Sequence, residues 1–460
     1  MVLILGGAAV LGLAMLLVDP LFFIAGLVAL LVAGAVLSNP YYGVILYLAL
    51  LYIRPGDIYP QLEPLRLTML GVTLLTVAFV LQVLVYRRVK AILTMPMIFM
   101  GLVLAAILLS MPGSYYRTLS MTRFTDSLRL VFMTYLIVHL IDSVSRLRGF
   151  MTALVLILAG LSSWLVSRFF LMPYTRVDNG GSGGVVGGFL GDGNDFALAQ
   201  NVVLPWAIAL IPVTSSRFWR WLLIYSVAIG ALAVGCTFSR GGFLGLLALV
   251  VAFYIHWIVR TQRYVFGVFT ALIGVTLLLA ALFAFAPEDF LDRMTSIKDY
   301  EEDESARGRL DAWQAGFRMF SDRPFFGVGA GAFNDAYGKK YKPTNAVAAN
   351  WREAHSVYIQ VMGEMGLFGL LAVFGLVFVL WRSVFRLRFA YLADPDQDRF
   401  FHIARSAVYG SLCAWMVSGA FLSVAFYPHL YLLVMITACL ERLARYHSAV
   451  PLTIEEIEED

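Results

Sequence analysis

Long uninterrupted apolar runs dominate the chain. They lie at approximately 2–18, 21–37, 41–53, 67–86, 91–110, 127–141, 149–171, 196–213, 221–238, 243–259, 264–286, 356–381, 401–422 and 427–440. A helix that crosses a bilayer needs about 20 apolar residues, whereas the strands of a membrane barrel alternate polar and apolar positions. These runs do not alternate. We therefore predict an all-α polytopic membrane protein with about 12–14 transmembrane helices. The range arises because the first three segments are short.

Composition supports a lipid environment for most of the chain. Hydrophobic residues make up 60% and charged residues 14% of the 460 positions, with a mean hydropathy of +0.80. Soluble domains have about 25% charged residues. The three cysteines lie in apolar surroundings without a Cys-x-x-Cys pair, so we expect neither a disulfide framework nor a zinc site. The first apolar run has no basic n-region or cleavage site, and we interpret it as a retained span.

Basic clusters in the short loops predict the orientation. They lie at 87–90, 146–148, 217–220, 260–263, 382–388 and 442–447, and counting spans puts all of them on the same side. The positive-inside rule assigns that side to the cytoplasm. The acidic tail, 441–460, is then cytoplasmic as well.

The opposite face receives the Gly-rich segment 172–195 and one long loop, 287–355. We predict an amphipathic helix at about 308–321 in this loop, followed by a glycine-rich turn at 327–331. The resulting organisation has N-terminal membrane helices at 1–171, central helices at 172–286, the loop at 287–355 and C-terminal helices at 356–440. No Lys-Ser or Lys-Thr follows the glycines, so this is not a nucleotide-binding loop, and no nucleic-acid partner is expected.

Arg240 stands between two apolar helices in the sequence Ser239-Arg240-Gly241-Gly242. It is either an interfacial anchor or a binding group for an anion. Glycines beside it would let an anionic group approach the backbone, and guanidinium offers a planar donor fork that suits a diphosphate.

Two further candidates lie in the long loop, Arg309 within it and His355 at its end. Arg309 and Trp313 share one helix face, which is also typical of a solvated arginine stacked on an indole. His355 precedes the next membrane helix, where imidazole is suited to proton transfer or to a purely structural hydrogen bond.

Supporting candidates surround these residues in the sequence. Tyr358 and Glu364 follow His355 on the same helix, but Glu364 is nine residues on and faces roughly the opposite way. Asn194 and Asp195 fit either helix capping or a substrate role. His429 is the alternative histidine on the same face.

These segments together resemble a known family. The sequences Asn194-Asp195-Phe196-Ala197, Ser239-Arg240-Gly241-Gly242, Arg309 through Trp313, Arg323 through Gly329 and His355 through Gly366 resemble the O-antigen ligase and polymerase superfamily of bacterial inner membranes. The resemblance covers roughly 185–370 with motifs. The sequence Ile53-Arg54-Pro55-Gly56-Asp57 is similar to a subgroup described as exosortase-associated O-glycosylation ligases.

The resemblance implies a metal-independent glycosyltransferase of the C type without a cofactor. The donor would be a glycan on undecaprenyl diphosphate at the periplasmic face, and the acceptor a hydroxyl of a glycan, of lipid A–core or of a protein. The resemblance also implies that Arg240 and Arg309 bind the diphosphate and that His355 lies near the reacting hydroxyl. Acidic residues between Asp299 and Glu304 fit this expectation less well, because they would repel anionic ligands.

Two alternatives remain open. A polymerase of the same superfamily has the same motifs. A polysaccharide or lipid transporter would be expected to place its charges near the membrane midplane, often within internal repeats, whereas the candidates here cluster at one face and no repeat is visible.

Overall fold

Every regular element in the described part of the chain is helical. The computed structural model describes residues 20–84, 91–171, 190–262, 304–344 and 351–447. Within these ranges each predicted apolar segment coincides with a helix, which confirms the all-α prediction. The predicted spans at 2–18 and 264–286, and the acidic tail beyond residue 447, lie outside the described residues.

Five of the described helices are long and apolar enough to cross a membrane. They are Pro60–Leu84, Val144–Leu171, Gly193–Val213, Arg217–Cys236 and Val357–Phe389. Three shorter apolar helices lie at Gly26–Ser38, Met95–Ser110 and Arg240–Ile255. The chain is therefore a multi-pass membrane protein, and the count of 12–14 spans stays a prediction.

The chain divides into two compact units, of which the first is Met1–Ala91. It contains α1 (Pro20–Ser38), α2 (Pro40–Ile53), the short α3 (Pro55–Ile58) and α4 (Leu67–Leu84). Gly43 lets α1, α2 and α4 approach closely, since a Cβ there would lie 2.8 Å from Val36 and 2.9 Å from Leu75. The Arg54–Asp57 pair of the N-terminal motif forms a 2.6 Å ion pair within this unit.

The second unit, Ile92–Asp460, contains all the candidate functional residues. Its helices are α5 (Met95–Ser110), α6 (Arg117–Leu140), α7 (Val144–Leu171), α8 (Gly193–Leu210), α9 (Arg217–Cys236), α10 (Arg240–Thr261), α11 (Glu304–Asp322), α12 (Phe333–Ala336), α13 (Val357–Arg386), α14 (Pro395–Gly419) and α15 (Pro428–His447). The predicted amphipathic helix at 308–321 is confirmed as α11.

Helix α8 lies at the centre of this unit and packs against α7, α9, α10 and α14. Polar side chains cross these interfaces: Asn201 donates to the carbonyl of Gly242 at 2.7 Å, and Trp206 donates to Ser411 at 3.0 Å. Hydrogen bonds of this kind hold membrane helices together where the hydrophobic effect between them is weak.

The loop before α12 is paired with an interruption in α13. Gly366 has φ 61° and ψ −150°, a conformation that is open essentially to glycine alone. At this break the amide of Leu367 donates to the carbonyl of Pro324 at 2.7 Å, and the amides of Val328 and Gly329 each donate at 2.9 Å to the carbonyls of Gly363 and Glu364. The Gly-rich loop is therefore held against α13 by backbone hydrogen bonds.

Candidate functional site

The connection between α14 and α15 holds several of the motif segments together. We call residues 420–427 the 420–427 loop. It contacts the starts of α8, α10 and α13 through four of its residues: Phe421 packs on Gly241, Ser423 accepts from the His355 amide, the Ala425 amide donates to Gln360, and Tyr427 donates to Asp195. Motifs that are up to 232 residues apart in the sequence thereby meet at one end of the unit.

His355 occupies an unusual backbone conformation at this meeting point. Its φ is 46°, in the left-handed region that histidine enters more readily than most side chains. Its amide donates to Ser423 Oγ at 2.8 Å. Burial, followed by the charges of Arg309 and Arg352, lowers the pKa of His355 to about 4, while Asp192 opposes the shift. The imidazole is therefore neutral near pH 7.

Two cationic groups lie near His355, Arg309 of α11 and Arg352 of the segment before α13. A Cβ at Gly308 would overlap the guanidinium of Arg352, so the glycine makes room for that side chain. The indole of Trp313 donates to the carbonyl of Ala354 at 3.1 Å, directly beside His355. Arg309 and Trp313, predicted to share one helix face, thus both lie close to the histidine. Arg352 was not a sequence candidate, although its place three residues before His355 could have signalled it.

Arg240 is half-buried at the first position of α10. Ser239 caps this helix by accepting from the Gly242 amide at 2.9 Å. The neighbouring glycines serve helix packing, because a Cβ at Gly242 would overlap Ala197 and one at Gly241 would lie 2.9 Å from Phe421. The start of α10 is therefore held against α8 and the 420–427 loop, and Arg240 lies at their junction.

The acidic segment before α8 caps this helix and ties it to the 420–427 loop. Asp192 is the N-cap residue and accepts from the Asn194 amide at 2.6 Å and from its side chain at 2.7 Å. Asp195 instead accepts a 3.0 Å hydrogen bond from Tyr427. Capping is thus performed by Asp192, while Asn194 braces the cap and Asp195 ties α8 to the 420–427 loop.

Two other candidates have structural contacts. Tyr358 donates to the carbonyl of Met416 at 2.7 Å and its ring stacks on Phe374. His429 is completely buried, with its ring 6.5 Å from that of Tyr427. These positions tie Tyr358 to α14 and place His429 inside the protein rather than on an accessible surface.

Glu364 is 2% exposed and serves the Gly-rich loop. Its two carboxylate oxygens accept from the amides of Gly331, at 2.8 Å, and Phe333, at 3.2 Å. Glu364 is therefore a structural hydrogen-bond acceptor for the Gly-rich loop.

An open cleft of about 400 Å³ lies next to His355. It is lined by Arg123, Gly331, Phe333, Asn334, Glu353, Ala354, Gln360, Glu364, Ser423, Phe426 and Tyr427. Burial of its carboxyl group raises the pKa of Glu353 even though the residue as a whole is exposed; the charge of Arg123 and a hydrogen bond with Ser423 oppose the shift. Sequence reasoning missed Arg123 and Glu353, because only the fold brings them together.

In the part of the chain that the structure describes, no three His, Cys, Asp or Glu side chains are grouped as metal ligands would be. A family model described as O-antigen ligase matches residues 225–374. The match includes Arg240, Arg309, His355 and Glu364. A search of curated proteins gave no match.

Proposed function

Because the chain belongs to the O-antigen ligase superfamily, we propose that it is a membrane glycosyltransferase that moves a glycan from undecaprenyl diphosphate to an acceptor hydroxyl. The acceptor would be a glycan, lipid A–core or a protein side chain. The observation that carries the proposal is the pairing of a neutral imidazole, His355, with two guanidinium groups close to it, those of Arg309 and Arg352.

This pairing suits a reaction in which an anion leaves as a hydroxyl attacks. The acceptor oxygen forms a bond to the anomeric carbon while the bond from that carbon to the diphosphate oxygen breaks. The electron pair leaves on the diphosphate, and the hydroxyl proton passes to the imidazole and then to water. A single displacement of this kind inverts the anomeric centre.

The arginines would stabilise the charge that develops on the leaving group. Arg309 is assigned to the diphosphate because it lies near His355, and Arg240 because its helix start meets the same 420–427 loop. A general base contributes typically about 10²–10⁴-fold. The base can be weak, since the proton becomes acidic only once the glycosidic bond is largely broken. Neither a metal nor a cofactor is required in this scheme.

We further propose that the site faces the periplasm from the bacterial inner membrane, in contact with membrane lipid. The basic ends of α7, α13 and α15 support this orientation. Arg442 donates to the carbonyl of Val138, and the amide of Ala393 donates to the carbonyl of His447. His447 also contacts the carbonyl of Asp142, so these ends meet. Helix α15 runs from there to the site over 20 residues, which is about 30 Å. The basic clusters and the site thus lie at opposite ends.

The test is transfer by the purified protein. The enzyme is incubated with an undecaprenyl-diphosphate-linked oligosaccharide and, separately, with lipid A–core, a glycan or a protein acceptor, with and without EDTA. We expect a glycosylated product and released undecaprenyl diphosphate, both formed far more slowly by His355→Ala protein. One added glycan identifies a ligase, whereas a ladder of products identifies the polymerase alternative. Movement of the lipid-linked glycan across liposomes without transfer would overturn the proposal.

A further inference from the structure

The cleft beside His355 has no part in the proton transfer or charge stabilisation described above. It opens between α6, which carries Arg123, and the segment that carries Glu353 just before α13. Ala354 and Ser423 also line it, so it adjoins the backbone of His355 directly. The lining contains none of the arginines assigned to the diphosphate.

Arg123 is placed to bind something other than the protein. Its Nε is buried and makes no hydrogen bond, while its side-chain stem packs on Gly331. Its charge acts on both Glu353 and Glu364, yet within the described residues it forms no ion pair with either. Arg123 therefore lines the cleft without an ion pair to the two acidic side chains beside it.

The charges of the cleft select against ions. An anionic group would be repelled by the carboxylates of Glu353 and Glu364, and a cationic group by the guanidinium of Arg123. A hydroxyl can accept from the guanidinium and donate to a carboxylate at the same time. Aromatic rings of Phe333, Phe426 and Tyr427 supply apolar walls beside these polar groups, the combination that small-molecule sites commonly use.

We propose that this cleft binds an uncharged sugar residue of the glycan substrate, with Arg123 and Glu353 holding its hydroxyls. The inference rests on the proposed function and adds to it a sugar subsite beside His355. The cleft has a volume of about 400 Å³, including the space at its open mouth. The sugar belongs either to the acceptor or to the donor, and kinetics distinguish the two.

The experiment compares Arg123→Met, Arg123→Lys and Glu353→Gln with wild type. Arg129→Met is the matched control, because Arg129 lies on the same helix α6 but is 56% exposed. Acceptor is varied at saturating donor, and donor at saturating acceptor. Loss of a hydrogen bond to a charged group predicts a KM about 10- to 100-fold higher for one substrate, with kcat changed less, and Arg123→Lys retaining part of the binding. A raised acceptor KM assigns the sugar to the acceptor, and a raised donor KM to the donor.

Binding is measured separately by saturation-transfer NMR. The two probes are the acceptor oligosaccharide and the oligosaccharide released from the donor lipid. We expect signal for one probe with wild type and Arg129→Met, and its loss in Arg123→Met and in the isosteric Glu353→Gln. Folding is checked by melting temperature. Unchanged KM values and unchanged NMR signals in folded variants would overturn the subsite. If wild type transfers nothing yet binds a probe through Arg123, the proposed function fails and the sugar site stands.

Discussion

The backbone amide of His355 donates a 2.8 Å hydrogen bond to Ser423 Oγ, which joins two segments 68 residues apart. This bond helps to hold His355 in a left-handed conformation, φ 46°, that costs free energy for most side chains. The 420–427 loop thus sets the backbone from which the imidazole extends. Structural strain of this kind is often concentrated at functional sites.

Removing the imidazole should abolish most turnover. We expect His355→Ala to lower kcat by about 10²–10⁴-fold with donor binding largely kept, as measured by transfer assays and donor titration. His355→Gly tolerates the left-handed backbone and should be equally inactive, which separates loss of the imidazole from backbone strain. His355→Gln should keep some activity only if the side chain orients the hydroxyl.

His429→Ala should mainly lower the melting temperature, because His429 is completely buried. Folded His429→Ala protein should retain transfer. If His429→Ala is inactive and His355→Ala is normal, the histidines have been assigned the wrong way round.

Glycan transfer should depend on the shape of the cationic side chain at positions 240 and 309, as well as on its charge. Arg240→Ala and Arg309→Ala should lower kcat/KM more than the lysine variants do, because lysine keeps the charge but not the donor fork. Arg318→Ala, on the exposed part of α11, and Arg217→Ala, at the exposed start of α9, are matched controls. Normal transfer by both folded alanine variants would contradict the assignment.

The pH profile should report a neutral His355. Its pKa is lowered from 6.5 to about 4, so the base form persists as pH falls through 6.5 and is lost only toward pH 4. We expect kcat/KM for the free enzyme to show no His355 limb near pH 6.5. The free energy of unfolding should also fall as the pH falls from 6.5 to 4. In this range the unfolded state binds more protons at His355 than the folded state does. A limb at pH 6.5 that disappears in His355→Gln would show that the environment described here is wrong.

The break in α13 should tolerate no side chain. In Gly366→Ala the new Cβ would lie 2.6 Å from backbone atoms of Pro324 and Phe325 in a glycine-only conformation. We expect a loss of about 1–3 kcal/mol or more in unfolding free energy, measured as a lower melting temperature. Gly160→Ala is the control, because this position of α7 has open space around it and helical alanine is favoured by up to about 1 kcal/mol.

Orientation can be tested with single cysteines in a background lacking the natural ones. Lys339 is 49% exposed and lies on the site side of the unit, whereas Asp396 lies exposed at the start of α14. In intact spheroplasts an impermeant thiol reagent should label Lys339→Cys and not Asp396→Cys. Equal labelling would place the site on the wrong side for the proposed reaction.

The sequence by itself determined the helices and the residues worth testing. Apolar runs of bilayer length allow only helices, because lipid cannot satisfy backbone hydrogen bonds, and the predicted segments coincide with the described helices. A local signal also sufficed for the amphipathic helix α11, because helical periodicity predicts it.

Only the tertiary structure decided which of these residues meet. The cleft brings together Arg123, Glu353 and the 420–427 loop, which are far apart in the sequence. No local sequence pattern indicates that these segments are close in space. The glycines beside Arg240 make room for Ala197 of α8 and for Phe421 of the 420–427 loop, which the sequence did not indicate. Such contacts are determined by helix packing and by backbone hydrogen bonds between distant segments. Neither produces a periodic pattern of residues that a single sequence would show.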